Sequence, residues 1–221
     1  MSDVINQVLK WVPEAISAAV RNTFMSGPIA TVDETAEFVQ TRAAYIAQTS
    51  LFGYLKERMG ISYPTHFEND EFVESMRIAQ LKVYRACAAD LTIFVTANVA
   101  SVGGLDHDEA TNLAMQLFAY ALKNSGRQDD GDPNEAIATF RDRAERTVWP
   151  QAAHYENAFF ESPSMLIEAA PVVDDFKKRD REIVINSIRF RWRDIREQYR
   201  KRAEYIEIAE DFLAKRLSNQ L

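Results

Sequence analysis

Residues 176–217 read FKKRDREIVINSIRFRWRDIREQYRKRAEYIEIAEDFLAKRL, a run with neither proline nor glycine. Apolar side chains at Ile185, Ile188, Trp192, Ile195, Tyr199, Ala203, Ile206, Leu213 and Leu217 follow one another in steps of three, four or seven. Such steps return to one side of a 3.6-residue turn, so the stretch predicts one long amphipathic helix over 176–217. A second apolar set, Ile183, Phe190, Tyr205, Ile208 and Phe212, lies well round the same helix. Burying one stripe in the protein's own bundle leaves the other needing cover.

The charges on this stretch are also ordered. At about 100° per residue from Ile188, Arg189, Arg193, Arg196 and Arg200 fall at about 80° to 140°. Glu204, Glu207 and Asp211 follow on nearly the same face, so the row changes sign near Lys201. Two antiparallel copies would set each basic half against the other's acidic half. The expected interaction surface is therefore Arg189, Phe190, Arg193, Arg196, Arg200, Tyr205, Glu207, Ile208 and Phe212, and the expected partner is a protein, with a homodimer as the leading form.

Over the whole chain of 221 residues the formal charge is -7, but residues 176–221 carry +5 and the remainder -12. A basic helix on an acidic body either neutralises that body or meets an anionic partner. Nucleic acid is not expected as the partner, because the acidic body would repel phosphates around any basic strip. The lone cysteine, Cys87, excludes an intramolecular disulfide. Residues 1–10 hold Asp3 and no basic leader before an apolar run, so they do not read as a secretory signal, and a cytoplasmic protein is expected. Residues 86–103 are the most membrane-like stretch, but Asp90 and Asn98 lie inside it, so a buried helix is expected rather than stable membrane insertion.

Outside the C-terminal stretch the punctuation is helical throughout. Two short helices are expected over 4–12 and 13–24, the second closed by Gly27. Thr31 with Glu34, and Asp106 with Glu109, have capping-box spacing, while Gly60, Gly103-Gly104 and Gly126 are placed to stop helices. Asn69, Asp70 and Glu71 suit a helix amino end, Gly53 suggests close packing by a neighbour, and residues 127–132 are turn-like ahead of a helix from Pro133. After Pro150 come an aromatic segment over 155–160 and the breaks Ser162-Pro163 and Pro171. The run Leu91–Thr96 is β-branched enough for a strand, but no second strand exists to pair with it. The reading is all-α: a single-domain helical bundle of about eight helices over 1–221, closed by a long C-terminal helix.

Chemistry is hard to place on this chain. No two glycines are four apart, so the G-x-S-x-G turn of a nucleophile elbow is absent, as are phosphate and dinucleotide loops. None of the three histidines follows a glutamate by three residues, so no Glu-x-x-His pair exists for a di-iron bundle. Catalytic, cofactor and metal sites are all read as none. Arg85 and Asp90 stand out instead, because charges in a helix apolar on most sides must find partners. They are about 140° apart and so imply separate partners, with a polar pocket near Asp90 as the alternative and Tyr63, His66 and Phe67 available at its mouth.

At Met25-Ser26-Gly27-Pro28, at Tyr54-Leu55-Lys56-Glu57-Arg58-Met59-Gly60 and at Tyr63-Pro64 the chain resembles a family of uncharacterised bacterial proteins, some labelled esterase. The resemblance spans roughly the first half and implies ester hydrolysis in some members, by an arrangement other than the elbow. It carries over no site residue. The expected function is an interaction or adaptor role for the C-terminal helix; the alternative is a small-molecule-binding or hydrolytic bundle, and a third is nucleic-acid binding.

Overall fold

The computed structural model describes residues 27–123, 133–154 and 157–218, and its elements there are helical. The expected helices over 4–24, the stop at Gly126, the turn over 127–132, Tyr155 and the resembling pair Met25-Ser26 lie outside these residues. The order is α1 (Val32–Met59), a 3-10 helix (Gly60–Glu68), α2 (Asp70–Gly103), α3 (His107–Lys123), α4 (Pro133–Glu145), α5 (Trp149–Ala152), α6 (Glu161–Ala169), α7 (Asp174–Arg202) and α8 (Tyr205–Ser218). This is an all-α helical bundle.

Local signals set the ends of the first helices. The Thr31 hydroxyl accepts from Glu34 N–H at 3.2 Å, and the Glu34 carboxylate accepts from Thr31 N–H at 3.1 Å. Asp106 and Glu109 exchange the same pair of bonds at the head of α3. Asn69 caps α2 by accepting from Phe72 N–H at 3.1 Å. Gly60 and Gly104 sit at φ 54° and 72°, a region that disfavours any residue with a Cβ.

Helix α2 is the axis of the bundle. The run Leu91–Thr96 is helical and buried, and α1, α3, α5, α6 and α8 all pack on α2. By length and composition it is the one described helix able to cross a membrane, and 78% of its most apolar window is buried inside the bundle. Gly103 permits the closest approach: a Cβ built there would lie 2.4 Å from the Ala209 Cβ of α8. Gly53 has no such role, since its added Cβ would meet only the end of the Arg191 side chain, at 3.7 Å.

The C-terminal stretch corrects the expectation of one helix over 176–217. The chain leaves the helix at Ala203, whose φ of -78° and ψ of 124° are extended. There Ile29 N–H donates to Arg202 O at 2.8 Å, and Glu204 N–H donates to Ile29 O at 2.9 Å, a parallel bridge between Ile29 and Ala203. These bonds satisfy backbone groups at the junction, so no glycine or proline is needed for the break. The break also changes which stripe is buried. In α7 the main stripe is inside, with Ile188, Trp192, Ile195 and Tyr199 all buried. In α8 it is the second set that is inside: Ile208 and Phe212 are buried, while Ile206 and Leu217 of the main stripe are exposed.

Helix α6 was unexpected, because Ser162-Pro163 reads as punctuation. Proline is tolerated in a first turn, where its missing N–H has no intrahelical acceptor.

Candidate functional site

Two features can be built from the residues upward: a buried polar clamp with a cleft above it, and the outer face of α7.

The clamp begins at the amino end of α6. The residue before that helix, Phe160, offers no side-chain cap, so the first N–H groups need an acceptor from elsewhere. Asp90 of α2 supplies it. Its Oδ2 accepts from Ser162 N–H at 2.8 Å and its Oδ1 from Glu161 N–H at 3.3 Å, placing a carboxylate at the positive end of the helix. Asp90 is fully buried. Arg143 of α4 completes the arrangement by donating to Asp90 at 2.8 Å, to Glu161 at 2.6 Å and to Ala158 O at 2.8 Å, with its guanidinium 4.3 Å from the Phe160 ring centroid. Trp192 Nε1 of α7 donates to Ser162 Oγ at 3.0 Å. Three helices are thereby joined through one carboxylate, and α7 is tied to them through the Ser162 hydroxyl.

Burial is the largest influence on the acids of the clamp. It raises the Asp90 carboxyl above its usual range against the pull of Arg143, and it raises Glu161 in the same way. One turn before Asp90, burial pushes the Cys87 thiol well up, so the thiolate is disfavoured.

Above the clamp lies an open cleft of about 900 Å³. It is lined by Lys82, Arg85 and Ile93 of α2, by Phe118 and Phe140, and by Arg143, Phe160 and Met165. The Phe118 and Phe140 rings stack with centroids 4.1 Å apart. Arg85 lines this cleft, whereas Asp90 is not among its lining residues and instead holds Arg143, which is. The expected pocket pair is therefore one lining residue and one support. His66 and Phe67 do not line the cleft; their rings pack on Phe72 at 5.3 and 5.6 Å. Among the described residues no group of His, Cys, Asp and Glu is arranged to hold a metal ion.

The outer face of α7 differs from the expected interaction surface. Arg189, Phe190, Arg193 and Arg200 are exposed, and Glu207 is exposed on α8. Arg196 is buried instead, its Nε donating to Trp192 O at 3.2 Å and its guanidinium 5.5 Å from the Phe159 ring centroid. Tyr205 is half-buried against Tyr199, and Ile208 and Phe212 belong to the core. Asp211, expected in the acidic half of the row, caps α1 by accepting from Val32 N–H at 2.8 Å, and Lys215 bridges it to Asp33. The break at Ala203 turns α8 inward, so the nine expected residues do not form one surface.

What remains outward is a shorter row. Phe176, Ile183 and Phe190 are 41%, 72% and 60% exposed. Spaced by seven, they fall within about 40° of one another around the helix and span about 21 Å. Phe176 was not singled out from sequence, although the seven-residue spacing was visible. Arg193 lies over the Phe190 ring at 4.0 Å and Arg58 near Phe176 at 5.3 Å. The helix is anchored from beneath by buried Asp180, which accepts from Tyr54 Oη at 3.1 Å and pairs with Arg58.

Set against known proteins, the chain matches no family model, no curated protein and no solved structure.

Proposed function

We propose that this protein works by protein contact, with the outer face of α7 as the docking ridge. The observation that carries the reading is the row Phe176, Ile183 and Phe190, three large apolar side chains aligned toward solvent on a helix whose opposite side already fills the core. Apolar residues scattered singly need no explanation, whereas an aligned row at heptad spacing is the pattern by which one helix receives another. Arg189 and Arg193 flank its carboxyl half, so the occupant is a helix of another polypeptide with an apolar stripe edged by carboxylates.

The test is a photo-reactive residue placed at Ile183 in the producing cell, with Val102, also exposed, near the end of α2, as control. The reading expects one discrete adduct at Ile183 that is identified by mass spectrometry as a polypeptide and lost with Arg189→Glu plus Arg193→Glu. No adduct at Ile183, or the same adduct from both positions, refutes it.

A second reading is favoured by the cleft, whose 900 Å³ lies within the usual range for small-molecule sites. Its aromatic rings, with Lys82 and Arg85 on one helix and Glu135, Asp142 and Glu161 elsewhere on the lining, suit a ligand with a flat apolar body and a single anionic end placed at that helix. Hydrolysis there would need a nucleophile beside a base. The Ser162 hydroxyl is instead buried and bonded to an indole N–H, and its backbone N–H is spent on Asp90. Isothermal titration with 1-naphthoate, in wild type and in Lys82→Ala, would show heat that falls in the variant if the cleft binds such ligands.

A further inference from the structure

We infer that the break between α7 and α8 is a hinge whose second position is one unbroken helix over 174–218, in which two copies of the chain exchange α8 and each fills the other's socket. This goes beyond the contact reading above and does not depend on the outer face of α7.

The sequence across the junction is written for continuous helix. Residues 199–208 hold neither glycine nor proline, and at about 100° per residue Ile188, Ile195, Tyr199, Ile206, Leu213 and Leu217 all fall within about 40° of one another. The apolar period therefore passes through the break without a change of phase. Against it stands the strap around Ile29. Glu204 N–H gives its bond to Ile29 O where an unbroken helix would give it to Arg200 O, and Arg202 O takes Ile29 N–H where it would take Ile206 N–H. Arg202 Nε adds a bond to Gly27 O at 2.8 Å. When the strap lets go, both junction groups recover a partner inside the helix.

What then holds α8 in place is its socket, and the socket reads only α8. Ile208 and Phe212 are buried, Ala209 closes on Gly103, Asp211 accepts from Val32 N–H at 2.8 Å, and Lys215 pairs with Asp33. Every one of these contacts is satisfied equally by the α8 of another copy. The connection between the helices is Ala203 and Glu204 alone, so it has no slack. In the unbroken form α8 runs about 24 Å beyond Arg202, out of reach of its own socket, and a second copy in the same form offers an empty one. Exchange of an identical element about a short hinge is a low-cost route to a dimer.

The full chain is unfolded in urea and refolded at about 5 and about 500 micromolar, the second approaching the millimolar effective concentration at which a tethered segment meets its own site. Both samples are diluted to the same low concentration and read by sedimentation velocity. The expected result is a dimer from the concentrated refolding alone that persists long after dilution, because α8 must leave a packed core before the copies part. A contact between outer surfaces would reverse at once. Glu204→Pro should lower the dimer yield at least about tenfold, since proline there clashes with the Arg200 carbonyl in an unbroken helix while Ala203 before it is already extended. A run of glycine and serine inserted after Ala203 should lower the yield as strongly by letting α8 return to its own socket, and it carries the test if the proline variant does not regain its helical circular dichroism. A wild type monomeric after concentrated refolding, a dimer that dissociates at once on dilution, or a yield unchanged in the folded variants would overturn the hinge.

Discussion

Removing the Asp90 side chain tests the clamp at its centre. In Asp90→Ala the Ser162 and Glu161 N–H groups, at 2.8 and 3.3 Å, lose their acceptor, and Arg143 loses one of its two carboxylates. Each buried donor left without a partner costs about 1–3 kcal/mol. Removing one member of a buried ion pair costs about 3–5 kcal/mol, and because these losses share one carboxylate they do not add. Arg143 keeps Glu161 and Ala158 O, which places the expected loss at about 4 kcal/mol. With a urea slope of about 3 kcal/mol per molar, the midpoint followed by circular dichroism should fall by about 1–1.5 M. Asp90→Leu with Arg143→Leu should recover part of that loss, since it removes the buried guanidinium together with Asp90 and leaves only the half-buried Glu161 without its arginine. Arg146→Ala, which breaks only the exposed pair with Asp142, should leave the midpoint in place. If Asp90→Ala unfolds at the wild-type urea concentration, the carboxylate does not hold α6 and the clamp is wrongly described.

Gly103→Ala should lower stability by about 1–3 kcal/mol, because the new methyl group overlaps Ala209 and α8 must move; a thermal midpoint equal to wild type would contradict the close approach. Trp192→Phe should lose about 1–2 kcal/mol in urea unfolding by taking the indole donor from buried Ser162, and no loss would mean that bond is dispensable. The pH response follows from the raised carboxyl of Asp90. The folded chain takes up this proton at higher pH than the unfolded chain, so stability should rise as pH falls from the folded value toward about 4 and level off below it. Asp90→Asn has no such proton. Relative to that variant, wild type should gain stability on acidification, and urea midpoints showing a relative loss across the window would reverse the sign assigned here.

What the sequence determined by itself lies where signal and consequence are a few residues apart. Thr31 with Glu34 and Asp106 with Glu109 start helices because each carboxylate reaches a backbone N–H three residues away. Gly60 and Gly104 end them because only glycine takes a positive φ without strain. The buried stripe of Ile188, Trp192, Ile195 and Tyr199 follows from helical period alone. The need of Asp90 for a partner was likewise legible from a charge amid apolar residues. Its partner was not: Arg143 lies 53 residues further on, and the need of α6 for a cap from another helix is not written in the residues of α6. The break at Ala203 is the clearest case of what only the tertiary structure decided. The local sequence there favours continued helix, and the bonds that end it come from Ile29, brought in by the packing of the bundle. Those two hydrogen bonds turned Ile208 and Phe212 inward, and left Phe176, Ile183 and Phe190 as the apolar row facing outward on α7.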